Sequence, residues 1–288
     1  MTKEQHYAVL VDAENVSPKY INIIFDEASN YGITTYRRIY GDWTSTRNNG
    51  WKSILLYNSI TPIQQYSYTD GKNSSDSAMI IDAMDILYTG AVDGFIIVSS
   101  DSDFTRLASR LRESGMNVIG MGESKTPGAF ISACNSFKYL DILYQSFDSE
   151  EEEQIEETAN TNASFNISPK KTKNMESTRK RQHSLNKNKK RSAHEKPSRE
   201  KSKPQPQTKI ATIRKALKTI ILENSDDDSW ISLANLGNHL SKRFPDFDVR
   251  NYGHKKLVTF VQSLGDFEIE HRSISSDGKT KQLFVRVK

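Results

Sequence analysis

Residues 95–123 read FIIVSSDSDFTRLASRLRESGMNVIGMGE. The apolar run Phe95–Ser99 is short and β-branched, as a strand buried on both faces should be. Phe104–Ser114 carries apolar residues at helical spacing and stops at Gly115, and Val118–Met121 is strand-like again. A strand, helix and strand of these lengths predict a right-handed crossover between parallel strands.

The same alternation extends outward. Tyr7–Val11 is a short apolar run ending at Asp12. Ser17-Pro18 supplies an N-cap and a first-turn proline for a helix that runs to about Tyr31 and stops at Gly32. Ile33–Tyr40 reads as a second strand, Trp51–Ser59 as a helix, and Ile63–Tyr68, after Pro62, as a third strand. Ser74 or Ser75 caps a helix through Leu87 that Gly90 closes, and Pro127–Cys134 is a last short helix. Residues 1–147 are therefore expected to form an α/β domain, an open parallel sheet with helices on both faces. With an assumed strand order of 3-2-1-4-5, strands one and four meet at the topological switch point, where a cleft opens.

Charge divides the chain. Residues 1–147 carry 12 Lys and Arg against 16 Asp and Glu, whereas residues 148–209 carry 15 against 10 and residues 210–288 carry 13 against 10. An acidic domain with a basic tail suggests a polyanion held by the tail. Residues 148–209 contain an acidic patch, then KKTK, RKRQ and KNKKR among Ser, Asn and Pro. They offer too little apolar surface to offset ordering, so a disordered linker is expected, as plain tether or as phosphate-binding arm. The single cysteine, Cys134, excludes an internal disulfide and a cysteine zinc site, and is expected to be an inert core thiol. No apolar run approaches a membrane span, and the N-terminal stretch lacks the form of a signal peptide, so no membrane partner and a cytoplasmic location are expected.

Periodicity returns at Ile210. Ile213, Leu217 and Ile220–Leu222 mark one helix, Trp230–Leu240 a second, and Leu257–Leu264 a third closed by Gly265. Phe267–Ile269 and Leu283–Val287 read as strands around a turn at Ser276–Gly278. Three helices and a hairpin predict a small winged-helix domain over 210–288.

Four aspartates fall where an open α/β sheet places ligands. Asp12 ends the first strand, Asp101 and Asp103 follow the fourth, and Asp76 lies in the first turn of the helix after the third. Strand C-termini and helix N-termini share one rim, so the four are expected together. Each has an ordinary reading alone: Asp103 as a helix cap, Asp76 as a favourable charge at a helix start. Together, carboxylates at close range raise one another's pKa unless a cation compensates. Hard oxygen ligands suit Mg2+ or Mn2+, which activate water for attack on a phosphodiester. Asn15 is placed to support a carboxylate or to satisfy loop backbone. Asp82 and Asp85 point elsewhere on their helix and are read as structural or solvent-facing. A P-loop, a Gly-x-Gly-x-x-Gly, a Gly-x-Ser-x-Gly elbow and histidine zinc spacing are all missing. Lys72 and Lys125 are candidate phosphate contacts or ordinary surface lysines.

VLVDAENVS, KNSSDSAMIIDAMDIL and the stretch quoted first together resemble the NYN domain in its LabA-like branch. The resemblance implies a PIN-like nuclease fold, a metal-dependent ribonuclease activity, and metal and catalytic roles for Asp12, Asp76, Asp101 and Asp103 with Asn15 in support. Glu14 stands where relatives commonly have glycine. The segment WISLANLGNHLSKRFPDFDVRNYGHKKLVTFVQSLGDFEI resembles the OST-HTH/LOTUS domain, a winged helix associated with RNA and, in some members, protein partners. Arg250, Tyr252, His254, Lys255 and Lys256 gather cations and an aromatic at a helix start, and Lys279 and Lys281 add charge on the wing. They suit RNA phosphates and base stacking, or else a protein-docking face with Tyr252 in the core. Two functions are expected from this: a Mg2+- or Mn2+-dependent endoribonuclease, or a non-catalytic RNA-binding adaptor.

Overall fold

The computed structural model describes residues 4–66, 74–147, 204–225, 228–273 and 281–288. The first region holds β1 (His6–Asp12), α1 (Ile21–Ser29), β2 (Ile33–Gly41), α2 (Lys52–Tyr57), β3 (Thr61–Gln64), α3 (Ser74–Thr89), β4 (Gly94–Val98), α4 (Thr105–Glu113), β5 (Asn117–Gly122), α5 (Gly128–Ala133) and β6 (Ser136–Tyr139). A helix α6 follows over residues 140–147. The six strands form one parallel sheet in the order β3-β2-β1-β4-β5-β6. The order reverses between β1 and β4, as in the assumed order, with β6 added beyond β5.

Period-two alternation sends each strand into two cores. Tyr7, Val9 and Val11 face α1, α2 and α6, while Ala8 and Leu10 face α3, α4 and α5. The middle strands are buried on both sides, which is why their sequences are continuous apolar runs. The third strand ends at Gln64, not Tyr68, and Pro62 lies within it. An edge strand tolerates a residue without an N–H. Residues 67–73, including Lys72, lie outside the described residues. The sixth strand, SFKY, escaped the sequence reading because four residues carry little periodic signal.

The second region holds α7 (Ile210–Asn224), β7 (Ile231–Ser232), α8 (Leu233–Arg243), α9 (Leu257–Ser263), β8 (Phe267–Ser273) and β9 (Lys281–Val287) around its own apolar core. The strands pair antiparallel in the order β7-β9-β8. Ser232 ends β7 and caps α8 by accepting from Asn235 N–H, so the expected helix at Trp230 starts three residues later. The expected turn at Ser276–Gly278 and Lys279 lie outside the described residues.

Met1–Asp148 and Pro204–Lys288 form one compact unit. The described part of the second region begins at Pro204, ahead of α7. Thr208 donates from N–H and Oγ1 to the buried Asp246, and Gln207 N–H donates to Tyr139 Oη. The segment around Asp246 covers the exposed edge of β6: Phe137 N–H donates to Pro245 O at 2.7 Å, and Tyr139 Oη donates to Asp246 at 3.1 Å. Covering an edge strand removes unpaired backbone groups that would otherwise template aggregation.

Four charges complete this contact. Arg250 donates through both terminal nitrogens to Glu27 of α1 and also pairs with Asp248, while Lys138 of β6 lies 2.6 Å from Asp248 and 3.7 Å from Glu27. Burial alone would raise the Asp248 carboxyl, but Arg250 and Lys138 overcome this and hold it well below the usual range. Deleting one member of a buried, neutral set leaves an uncompensated charge. Arg250→Ala should therefore lower unfolding stability by about 3 kcal/mol, read from urea denaturation of the full chain; a loss below about 0.5 kcal/mol, the range of ordinary surface substitutions, would refute the clamp.

Candidate metal centre at the sheet switch point

Asp12 ends β1 beside the switch point and is 1% exposed. Its Oδ1 accepts from Glu14 N–H at 3.0 Å and Asn15 N–H at 3.3 Å, and its Oδ2 accepts from Asn15 Nδ2 at 2.8 Å and Ser99 Oγ at 2.7 Å. Four donors satisfy both oxygens of this buried carboxylate. The supporting place given to Asn15 on sequence grounds corresponds to these bonds. Ser99, just past β4, was not singled out from sequence. Its Oγ donates to Asp12 and accepts from Asp101 N–H at 3.0 Å, tying the first strand's end to the acidic loop. The repeated serines of VSSDSD were the available signal.

Asp101 is the N-cap of the short 3-10 turn Ser102–Phe104 and accepts from Asp103 N–H at 2.9 Å. The cap expected of Asp103 thus belongs to Asp101, because the turn starts two residues earlier than the helix the sequence suggested. Asp103 is exposed, Asp101 half-buried and Asp76, in the first turn of α3, buried. One carboxylate oxygen from each of the three lies within 4.8 Å of the others, the group of acids among the described residues suited to a metal ion. Asp12 lies against this trio without being counted in it.

The electrostatic cost falls on Asp76. Burial raises its carboxyl first, and the charges of Asp12, Asp101, Asp103 and Glu14 raise it further, to about 7. Glu14, undecided from sequence, is thus one of the charges felt at this site. Beside Asp76, Ser75 Oγ is buried with no hydrogen-bond partner, a polar atom that bound water or an ion's hydration would satisfy. Gly122 packs tightly against the serines after β4: a Cβ there would sit 2.5 Å from Ser99 O and 2.7 Å from Thr126 Oγ1. Three hard oxygen donors with mutual repulsion to relieve suit a hard divalent cation better than a softer metal.

The other candidates scatter. Asp82 is bound by Arg38 and the Tyr40 hydroxyl on β2, and Asp85 is exposed. Lys125 pairs with Glu123 at 2.8 Å and stays largely exposed. Arg250 is held in the clamp, and Tyr252 packs on Phe247 and Phe260 while its hydroxyl donates to Thr208 O, so neither side chain is presented as an outward RNA contact. Sequence reasoning missed this because Glu27 and Arg250 stand 223 residues apart. His254 Nε2 meets Ser263 Oγ at 3.3 Å, and Lys255 and Lys256 are exposed. Cys134 is buried, and burial raises its thiol to about 12, as an inert core cysteine requires. Among the described residues no helix is long and apolar enough to cross a membrane.

Residues 6–141 match the NYN domain family, and residues 208–278 match the OST-HTH/LOTUS domain family. Among solved structures, a protein of unknown function from Vibrio parahaemolyticus is similar over 49% of this chain and 96% of its own, at 20% identity and a TM-score of 0.42. An uncharacterized protein from Nitrosomonas europaea is similar over 35% of this chain and 91% of its own, at 36% identity and a TM-score of 0.25. No curated protein gives a significant match. NYN domains belong to the PIN-like nuclease superfamily, and OST-HTH/LOTUS domains bind RNA. Both matches fall on the two described regions of the chain, the NYN-domain match on the N-terminal one and the OST-HTH/LOTUS match on the C-terminal one.

Proposed function

We propose that this protein is a divalent-metal-dependent endoribonuclease, with Asp76, Asp101 and Asp103 holding Mg2+ or Mn2+ and Asp12, fixed by Asn15 and Ser99, completing the acidic site. The observation that carries the reading is the convergence of three carboxylates within 4.8 Å, one of them with its pKa raised to about 7 by that company. A dication held by these residues would activate water and offset charge that develops on the phosphate. The chain's own part is orientation. Asp101 is locked by the turn it caps, and Asp12 by four donors, so neither needs to reorganise as substrate arrives. The gradient from buried Asp76 to exposed Asp103 leaves one side open for a phosphodiester.

The OST-HTH/LOTUS domain would hold the transcript, with exposed Lys255 and Lys256 as contacts, and tethering both domains raises the effective concentration of RNA at the acids. A protein partner at that domain and a cytoplasmic location belong to the same proposal.

The test is purified full-length protein with labelled single-stranded RNA and the matching DNA, in Mg2+ or Mn2+ and with excess chelator. Metal-dependent internal cleavage of RNA is expected, with none under chelator. RNA that is bound but uncut in either metal would replace this reading with the adaptor.

A further inference from the structure

The docked domains enclose a cleft of about 510 Å³ at the rim of the sheet opposite the aspartates. Arg112, in the last turn of α4, and Ser132 and Asn135, flanking the end of α5, form one wall; Ser241, Lys242 and Arg243, at the end of α8, form the other. The edge-strand bonds and four-charge clamp that join β6 to residues 245–250 hold these walls together. The cleft therefore belongs to the pair of domains and to neither alone.

Its chemistry has one sign. No carboxylate lines it, and among the described residues none of its three cations has an ion-pair partner. A smaller adjoining cleft shares Arg112 and Asn135 and adds the single acid, Glu113. Arg112 is preset: its Nη1 donates to Ser132 O and Ala133 O, both at 3.1 Å, satisfying carbonyls at the end of α5. A guanidinium has five N–H groups, so Nε and Nη2 keep donors for a ligand. Three cations with serine and asparagine donors and no opposing charge suit phosphate oxygens.

The path between the two rims runs along α4. Asp103 sits two residues before that helix, whose nine residues span about 13 Å. Arg106 and Arg110 stand one turn apart on its exposed face, between the acids and the cleft. A lone phosphate could use the cleft but not the path; a strand of RNA uses both.

We infer that single-stranded RNA runs from the acidic site along α4 into the cleft between the domains, where Arg112, Lys242 and Arg243 grip its phosphates. This rests on the RNA-cleaving reading for what lies at the near end of the path, but its test does not. Binding of a labelled oligouridylate is measured under chelator, so cleavage plays no part, across a series of salt concentrations.

The Lys242→Glu/Arg243→Glu protein is expected to bind at least ten-fold more weakly than wild type. Its log–log salt slope should be shallower by about 1.4, from roughly 0.7 per lost single-strand phosphate contact. A control of equal charge change, Lys52→Glu/Lys215→Glu, alters exposed lysines on α2 and α7, away from the cleft, and should bind within about three-fold of wild type. If the charge reversal unfolds the domain, Lys242→Gln/Arg243→Gln takes its place with the same expected slope change. Unchanged affinity and slope, or an equal loss in the control, would overturn the inference. Intact cleft-dependent binding without cleavage under metal would remove the nuclease proposal alone.

Discussion

Asp101→Asn is expected to slow metal-dependent RNA cleavage by on the order of 10³-fold, about 4 kcal/mol in the barrier, while RNA affinity under chelator stays within two-fold. The variant is chosen for what it preserves. An asparagine Oδ1 still accepts the Asp103 N–H and caps the turn, so the loop keeps its shape. What disappears is one negative charge of three within 4.8 Å. A large kinetic loss with unchanged melting temperature and RNA affinity assigns the effect to charge at the site. Single-turnover cleavage in Mn2+ reads it directly; more than a tenth of the wild-type rate would mean that the acids are not the reacting centre.

Asp76→Asn should make the metal-free protein more stable at pH 8, by on the order of 2 kcal/mol, and leave it unchanged near pH 3.5. The sign follows from the raised folded pKa of about 7 against an ordinary 3.8. Below about pH 4 the carboxyl is protonated in both folded and unfolded chains and costs nothing. Between about 4 and 7 only the folded chain keeps its proton, so this group's contribution to stability falls as pH rises. Above 7 the folded protein carries the full penalty of a buried charge among like charges. The expected size is below the full conversion of the shift because Asp101 and Asp103 leave the site partly open to water. Divalent metal should invert the comparison: Mn2+ at 100 times its dissociation constant stabilises the wild type by about 2.7 kcal/mol and the variant far less. Thermal melts with chelator and with Mn2+, at both pH values, check all four cases. A variant less stable than wild type at pH 8 under chelator would show that the carboxylates do not repel one another.

The parts legible from sequence share a local cause. Phe95–Val98 and Tyr7–Val11 are strands buried on both faces, and that burial is written as apolar runs. The aspartates were locatable because a parallel sheet forces strand ends and helix starts onto one rim. Three of them converge as their positions required, while Asp12 stands alongside with its oxygens already bound. The cap exchanged between Asp101 and Asp103 was not legible, since both residues suit a helix start and only the turn geometry chooses. Ser99 was hidden for a different reason: a serine after a strand is common, and its two bonds depend on β1 and β4 being neighbours. Arg250 and Tyr252 carried the composition of an RNA-facing element, yet Glu27, Asp248 and Thr208 turn them inward. Pairing across such a sequence distance leaves no periodic trace.

Calorimetric titration of the metal-free protein with Mn2+ at pH 7.5 probes the shared cation most directly. One site with a dissociation constant below about 1 mM, within the range that oxygen-ligand sites span, is expected in the wild type, with at least ten-fold weaker binding in Asp101→Asn. Absence of binding at millimolar Mn2+, or equal affinity in the two proteins, would contradict the metal centre and the nuclease built on it.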